Sequence, residues 1–166
     1  MPETNAEQPG RLHWSLVEPV WDSLNESWDE GFDEFVRRLR KVPPRVGHIY
    51  AAHWCQSEVC NGGLYQFFSN TTGLLAPEAR EAFAAIGLRE WNEVLSQAMS
   101  FFGSPYPRNR ARRQAALPTW PRGERQKFDP FWELDDRFYS WLRAGPDCWA
   151  LAADRYARDE STRSAT

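Results

Sequence analysis

Apolar residues recur with a helical period along most of this 166-residue chain. Trp14, Trp21 and Trp28 are spaced seven residues apart with acidic residues between them, which is the spacing of one buried face of an α-helix. No run rich in Val, Ile and Thr alternates with polar residues, as a half-buried strand would. The sequence therefore predicts an all-α fold, built as a single compact multi-helix domain.

Helix-breaking residues set the predicted limits of the helices. Proline lacks a backbone N–H, so the first regular helix is expected to start near Pro19. The Asn-Gly-Gly turn at 61–63 is expected to end a third helix, and Gly87 to end the helix that Pro77 opens. The predicted helices after the first are 29–41, 45–59, a short helix through Phe68, 77–86, 89–102, 130–143 and 146–159.

Residues 103–123 interrupt the helical pattern. Four prolines surround a run of arginines there, which predicts a long Pro/Arg-rich excursion that is irregular and mobile, with at most a short helix near 110–117. The domain is expected to span 11–160, with a disordered N-terminus at 1–10 and a disordered tail at 161–166.

Composition predicts where in the cell the protein is located but does not decide its oligomeric state. The first ten residues lack a basic start and an apolar run, and nowhere do 18 apolar residues follow one another, so a cytoplasmic protein without a membrane span is expected. Three cysteines without a framework spacing indicate small buried hydrophobes rather than disulfides. Ten Phe and nine Trp are enough to supply an interface as well as a core, so the sequence is compatible with a homodimer.

Charge is unevenly distributed although the net charge is only -3. Residues 1–35 carry nine acids against one arginine, whereas 105–127 carry seven basic residues against one acid. Such blocks usually form solvated faces, and they become interaction surfaces only where folding gathers them.

The most specific pattern of the chain lies at residues 58–73. Two consecutive glycines after Asn61 permit a positive φ, so the chain can turn sharply between two helices. Polar residues around the turn are typical caps for free backbone N–H groups, and the aromatic pair that follows is expected to fill the core. We expect Glu58 to be largely buried and hydrogen-bonded to backbone amides or polar side chains of residues 61–70.

This pattern resembles the signature of the bacterial DNA-mimic protein family, in which Asn-Gly-Gly-x-x-Gln-Phe-Phe-x-Asn follows a glutamate. The matching residues are Glu58, Asn61, Gly62, Gly63, Gln66, Phe67, Phe68, Asn70 and Gly73. A late segment, Leu134-Asp135-Asp136-Arg137-Phe138-Tyr139, is similar to the second marker of the family, so the resemblance covers roughly residues 45–158. The resemblance implies an all-helical fold and a role like that of the best-known member, which presents carboxylates as a copy of DNA phosphates.

A row of carboxylates near the N-terminus is the candidate surface for such a role. These residues recur at i+3 and i+4 and so follow one side of a helical path: Asp22, Glu26, Asp29, Glu30 and Asp33. The simplest interpretation is a solvated helix face. Combined with the resemblance, the row of carboxylates suggests a non-enzymatic module that binds the basic surface of a DNA-binding regulator or nuclease. An immunity-type toxin inhibitor would differ mainly in its partner.

The alternative to a protein-binding module is an enzyme or a metal-binding protein. Glu58 with His53 could centre a hydrolase or metal enzyme, but no nucleophile with an adjacent base is evident. Zinc-ligand residue types occur at His48, His53, Cys55 and Cys60. Their helical directions diverge and no Cys-x-x-Cys pair exists, so we expect no catalytic residue, no metal and no cofactor.

The arginine run 108–113 is the candidate for nucleic-acid contact. Tyr106 and Trp120 flank it, and a basic segment beside aromatic residues can bind phosphates and stack on bases. The chain is acidic overall, however, so pairing of these arginines with the acidic helices is the favoured expectation over direct nucleic-acid binding.

Overall fold

The computed structural model describes residues 8–28, 30–145 and 148–159. Regular structure in these ranges is entirely helical, which confirms the all-α prediction. The helices are α1 Arg11–Glu26, α2 Phe32–Leu39, α3 Pro44–Ser69, α4 Ala76–Ile86, α5 Arg89–Ser100, α6 Arg110–Ala116, α7 Arg125–Phe128, α8 Trp132–Ala144 and α9 Cys148–Arg158, with a 3₁₀ helix at Thr71–Leu75. None of the described helices is long and apolar enough to cross a membrane.

Helix α3 is the centre of the fold. It packs against α1, α4, α6 and α8 and against the 3₁₀ helix, and it buries apolar side chains on several sides because neighbours surround it. Phe67 and Phe68 are fully buried, as expected from the sequence. Across the core, the rings of Trp91 on α5 and Phe138 on α8 stack with their centroids 4.1 Å apart. Phe101, directly after α5, is 42% exposed.

The prediction that the first helix starts near Pro19 is wrong. Helix α1 begins at Arg11 and contains Pro19 in its interior, where the ring costs one backbone hydrogen bond. Tertiary contacts offset this cost. Val17 and Leu24 are buried on one side of the helix, and the Asp154 carboxylate on α9 accepts hydrogen bonds from free N–H groups at its first turn.

The other predicted breaks lie close to those observed. Helix α3 continues past Val59 and kinks at Gly62 and Gly63, which have non-helical φ and ψ angles. Gly87 ends α4 in the left-handed region, as predicted. Helix α2 is shorter than the predicted 29–41, and α8 begins two residues later than the predicted 130. The predicted start of the last helix at 146 and the predicted tail at 161–166 lie outside the described residues, as do residues 1–7 of the predicted disordered N-terminus.

The Pro/Arg-rich excursion is tied to the end of α3. It contains the short helix α6 within the predicted 110–117, and the rest of residues 103–123 is irregular. The Arg113 side chain is fully buried, and its Nε and Nη2 donate to the carbonyl oxygens of Phe68 and Asn70 at 2.9 and 2.8 Å. The Tyr106 hydroxyl donates to the Gly73 carbonyl at 2.7 Å. The bonds from Arg113 hold the end of α3, and the bond from Tyr106 holds the 3₁₀ helix, which gives the excursion a structural role that its composition did not indicate.

Candidate interaction site

Glu58 gathers the polar side chains that follow the α3 kink. Its Oε2 accepts hydrogen bonds from Gln66 Nε2 at 2.8 Å and from Asn70 Nδ2 at 2.9 Å, and its Oε1 accepts one from the Thr72 hydroxyl at 3.0 Å. The predicted hydrogen bonding is therefore confirmed for Gln66 and Asn70, while Glu58 is half-buried rather than largely buried. This carboxylate ties the second half of α3 and the 3₁₀ helix back to the first half.

The kink itself is closed by a carboxylate from α8. Gly63 has a φ of 79°, and the next residue, Leu64, donates its backbone N–H to Asp135 Oδ1 at 2.7 Å. A Cβ atom on Gly63 would lie 2.2 Å from Asp135 Oδ2, so the close approach requires glycine. Asp135 thus caps the second half of α3 from a distant helix, and it brings together the two segments on which the family resemblance rests.

Arg125 joins this cluster. Its Nη2 donates to the Gly62 carbonyl at 2.8 Å and lies 3.6 Å from Asp135 Oδ2, while its Nε donates to Asp129 Oδ2 at 2.8 Å. Asp135 is only 5% exposed. Burial raises the pKa of Asp135 to about 6, against the opposing effect of the Leu64 N–H. The sequence interpretation did not single out Asp135 as a site residue, although its place in the second marker segment was the available signal.

The predicted acidic face divides into two parts. Asp22 and Glu26 are exposed one turn apart on α1, and Glu18 extends the same stripe by a further turn. Among the described residues, these three carboxylates have no basic side chain within 4.0 Å. Glu30, by contrast, accepts a hydrogen bond from Arg38 Nη2 at 2.6 Å. Asp33 is exposed in the first turn of α2, and Asp29 lies outside the described residues.

On helix α2, a carboxylate is paired with arginines of the same helix. Glu34 accepts hydrogen bonds from Arg37 and Arg38, and these bonds lower its pKa to about 2. The unpaired residues of the predicted face, among those described, are therefore Asp33 on α2 and the pair Asp22 and Glu26 on α1. With Glu18, that pair forms the longer exposed row, and we define Glu18, Asp22 and Glu26 as the α1 stripe.

His53 and Glu58 face different neighbours. The His53 ring packs against Trp14 and Trp21, with centroids 5.6 and 5.2 Å apart, and burial lowers its pKa to about 4. Cys55 is buried and Cys60 is exposed, with its Sγ accepting a hydrogen bond from Gln56. Across the described part of the chain, no three His, Cys, Asp or Glu side chains are grouped so that they could hold a metal ion.

The arginine run binds carbonyl groups more than carboxylates. Arg108 pairs with Glu78 on α4 at 2.5 Å, whereas no described carboxylate of the acidic helices pairs with the run, so the expected pairing with those helices is not what the described residues show. Arg110 Nε instead donates to the Ser69 carbonyl at 2.9 Å, and Arg113 is committed to carbonyls at the end of α3. Cations at this position suit the negative end of the helix dipole. Arg112 is exposed.

Comparison with known proteins identifies the family. A family model described as DMP19-like protein matches residues 40–160, which include the α3 kink, Glu58 and Asp135, whereas α1 and α2 precede the matched range. Comparisons with curated proteins and with solved structures each gave no match. Since the matched range covers most of the chain, the chain belongs to the DMP19-like protein family, which is of the DNA-mimic type.

Proposed function

We propose that this protein is a non-enzymatic protein-binding module that presents carboxylates, in place of DNA phosphates, to the basic surface of a DNA-binding regulator or nuclease. Membership of a DNA-mimic-type family supports this role. The observation that carries it is the α1 stripe, because its three carboxylates are exposed, lie on one side of a helix and are not neutralised by described side chains.

The spacing of the α1 stripe suits several contacts with a basic surface. Residues four apart on an α-helix are separated by about 6 Å along the axis, so the stripe spans about 12 Å. One strand of a DNA duplex carries a phosphate about every 3.4 Å of axis, which is a denser array of charge. The stripe therefore offers a few charge-assisted hydrogen bonds to Arg or Lys rather than a full copy of a DNA strand.

The opposite side of α1 is used for packing, which separates binding from folding. Leu24 and Val17 are buried there, and the Trp21 ring stacks on Trp54 with centroids 5.1 Å apart. Substitution of exposed acids on the other side should change stability by no more than about 0.5 kcal/mol each. Binding defects in such variants would then report on the surface itself.

The test begins with isolation of the partner by pull-down from the native host. Its affinity is then measured for the parent protein and for the Asp22→Lys/Glu26→Lys variant. We expect the variant to bind at least about tenfold more weakly at low salt, because both steering and charge complementarity are lost. Binding of the parent should weaken steeply as salt is added. The parent should also displace DNA from the partner.

The matched control is Glu81→Lys/Glu93→Lys, which makes the same change in net charge at exposed positions of α4 and α5. This control should retain most of the parental affinity. Equal losses in the two variants would show that net charge alone matters, and tight binding by the α1 variant would move the binding surface elsewhere. A partner that holds its DNA equally well in the presence of this protein would contradict mimicry.

A further inference from the structure

A small cavity of about 240 Å³ opens beside the α3 kink. We call it the kink cavity, and its walls include Asn61, Arg125, Trp132, Asp135, Asp136 and Tyr139. The volume is several times the roughly 30 Å³ that one water molecule occupies in the liquid. It is below the roughly 300–1,000 Å³ of pockets that hold drug-sized ligands. The kink cavity therefore has the size for one side chain rather than for a cofactor.

The walls of the kink cavity are negative on balance. Asp135 and Asp136 are both wall residues, and Arg125 is the one cation among the described residues that line it. That arginine is already committed to Asp129 Oδ2 and to the Gly62 carbonyl. The first half of α3 ends and the second half begins at this point, so the negative and positive dipole ends of the two halves offset each other and the balance is set by the side chains.

Asp135 has a carboxylate oxygen without a hydrogen-bond donor. Its Oδ1 accepts the Leu64 N–H, whereas Oδ2 accepts no hydrogen bond from a residue within the described ranges. The nearest cation to Oδ2 is Arg125 Nη2 at 3.6 Å. Although Asp135 is only 5% exposed, its Oδ2 is not one of the described buried polar atoms that lack a partner, so this oxygen remains accessible to a donor from outside. Burial of the Asp135 side chain also raises the pKa of its carboxyl group.

We propose that the kink cavity is a socket for one arginine side chain of a basic partner protein, whose guanidinium donates to Asp135 and Asp136 beside the rings of Trp132 and Tyr139. A guanidinium suits this site because it offers planar pairs of donors to carboxylates and also stacks on aromatic faces. This inference rests on the proposed function for the identity of the ligand. It adds a contact within residues 40–160, which the family model matches, whereas the α1 stripe lies outside that range.

The experiment uses the full chain and a small probe, N-acetyl-L-arginine amide. The neutral control is N-acetyl-L-citrulline amide, which has nearly the same shape without the charge. Binding is followed by NMR through the Leu64 backbone amide and the Trp132 indole. We expect saturable shifts at both positions with the arginine probe, with a dissociation constant on the order of millimolar, because a single side chain gains little free energy. Citrulline should leave both signals in place.

Two variants test the assigned carboxylates. Asp135→Asn keeps an oxygen that can accept the Leu64 N–H but removes the charge, and it should weaken probe binding at least about tenfold. Asp136→Asn lies at an exposed position where folding is not at risk, and it should weaken binding several-fold. Asp22→Asn on α1 is the matched control and should bind the probe as the parent does.

Dependence on pH provides an independent readout. The titratable and charged groups around Asp135 are Asp129, Asp136, Arg125 and Tyr139. Because the site needs the ionised form of Asp135, probe binding should strengthen by up to about tenfold as the pH rises from about 5 to about 7.5. In Asp135→Asn most of this dependence should disappear.

Equal shifts with citrulline, or parental affinity in both cavity variants, would overturn the socket. Failure of the proposed function is distinguishable from this result. If the α1 stripe does not bind the partner, Asp22→Lys/Glu26→Lys still binds the probe as the parent does. If the kink cavity takes no arginine, the effect of the α1 variant on partner affinity still stands.

Discussion

At the scale of the residue, Gly63 is the position where backbone conformation and side-chain packing coincide. It shares a positive φ with Gly87, at 79° and 91°, but only at Gly63 would a Cβ atom meet other groups, namely Asp135 Oδ2 and Arg125 Nη2. Gly87→Ala should therefore cost about 1–2 kcal/mol for the left-handed backbone alone. Gly63→Ala should cost about 3 kcal/mol or more, because its ψ of 179° lies in a region that is essentially restricted to glycine and because the Cβ atom also displaces the Asp135 cap.

Urea denaturation of the two variants measures this difference directly, since the free energy of unfolding in water is obtained for each. Equal losses of stability would show that Asp135 and Arg125 move aside without cost and that they do not clamp the kink. Loss of protection from hydrogen exchange at Leu64 in Gly63→Ala alone would support the clamp.

At the scale of the element, the first turn of α1 is held to α9 through one carboxylate. Asp154 accepts the N–H groups of Gly10 and His13 at 2.7 and 2.8 Å and also contacts the His13 ring at 2.8 Å. We expect Asp154→Ala to destabilise the docking of α1 by about 2 kcal/mol, because two free N–H groups at the helix start lose their acceptor. Hydrogen exchange of the α1 amides should accelerate, while the α4 and α5 amides should be affected less.

The same carboxylate makes the docking sensitive to acid. Burial raises the pKa of Asp154, but the N–H groups of His13 and Gly10 outweigh it, so the pKa lies below its ordinary value. Its stabilising contribution is therefore present above about pH 4 and is lost as the pH falls further. Glu18→Ala, at an exposed position of α1, is the control and should leave the exchange rates almost unchanged. Slow exchange of α1 in Asp154→Ala would show that apolar packing alone docks the helix.

At the scale of the whole molecule, two buried groups give the stability opposite dependences on pH. Burial raises the pKa of Asp135 to about 6, so the folded state holds this proton more tightly and stability falls as the pH rises from about 4 to about 6. Burial lowers the pKa of His53 to about 4, so the unfolded state takes up that proton first and stability falls as the pH drops from about 6.5 to about 4. Each effect amounts to about 3 kcal/mol and the two largely cancel.

Single variants should expose the two effects. Asp135→Asn should leave the His53 contribution, so its free energy of unfolding should decrease on acidification more steeply than that of the parent. His53→Gln should leave the Asp135 contribution, so its stability should increase between about pH 6.5 and about pH 4. Chemical denaturation at a series of pH values measures both slopes. Parallel profiles for the parent and both variants would contradict these assignments.

The local features of this protein follow from its sequence. The helical period, the kink at Gly62 and Gly63 and the end of α4 at Gly87 depend on backbone preferences and on spacing over a few residues. The motif around Glu58 was sufficient to suggest the family to which the chain belongs. Its bonds to Gln66 and Asn70 could be anticipated because these residues lie close to Glu58 along the chain.

Only the tertiary structure decided which distant groups meet. Helix α1 begins at Arg11 in part because Asp154, 141 residues from His13, satisfies its first turn, and the kink is capped by Asp135, 71 residues from Leu64. Arg113 is buried because the end of α3 offers it carbonyl groups, which its place in an arginine run does not reveal. Sequence spacing sets the backbone preferences of each segment, whereas the partner of a buried polar group depends on how remote helices pack.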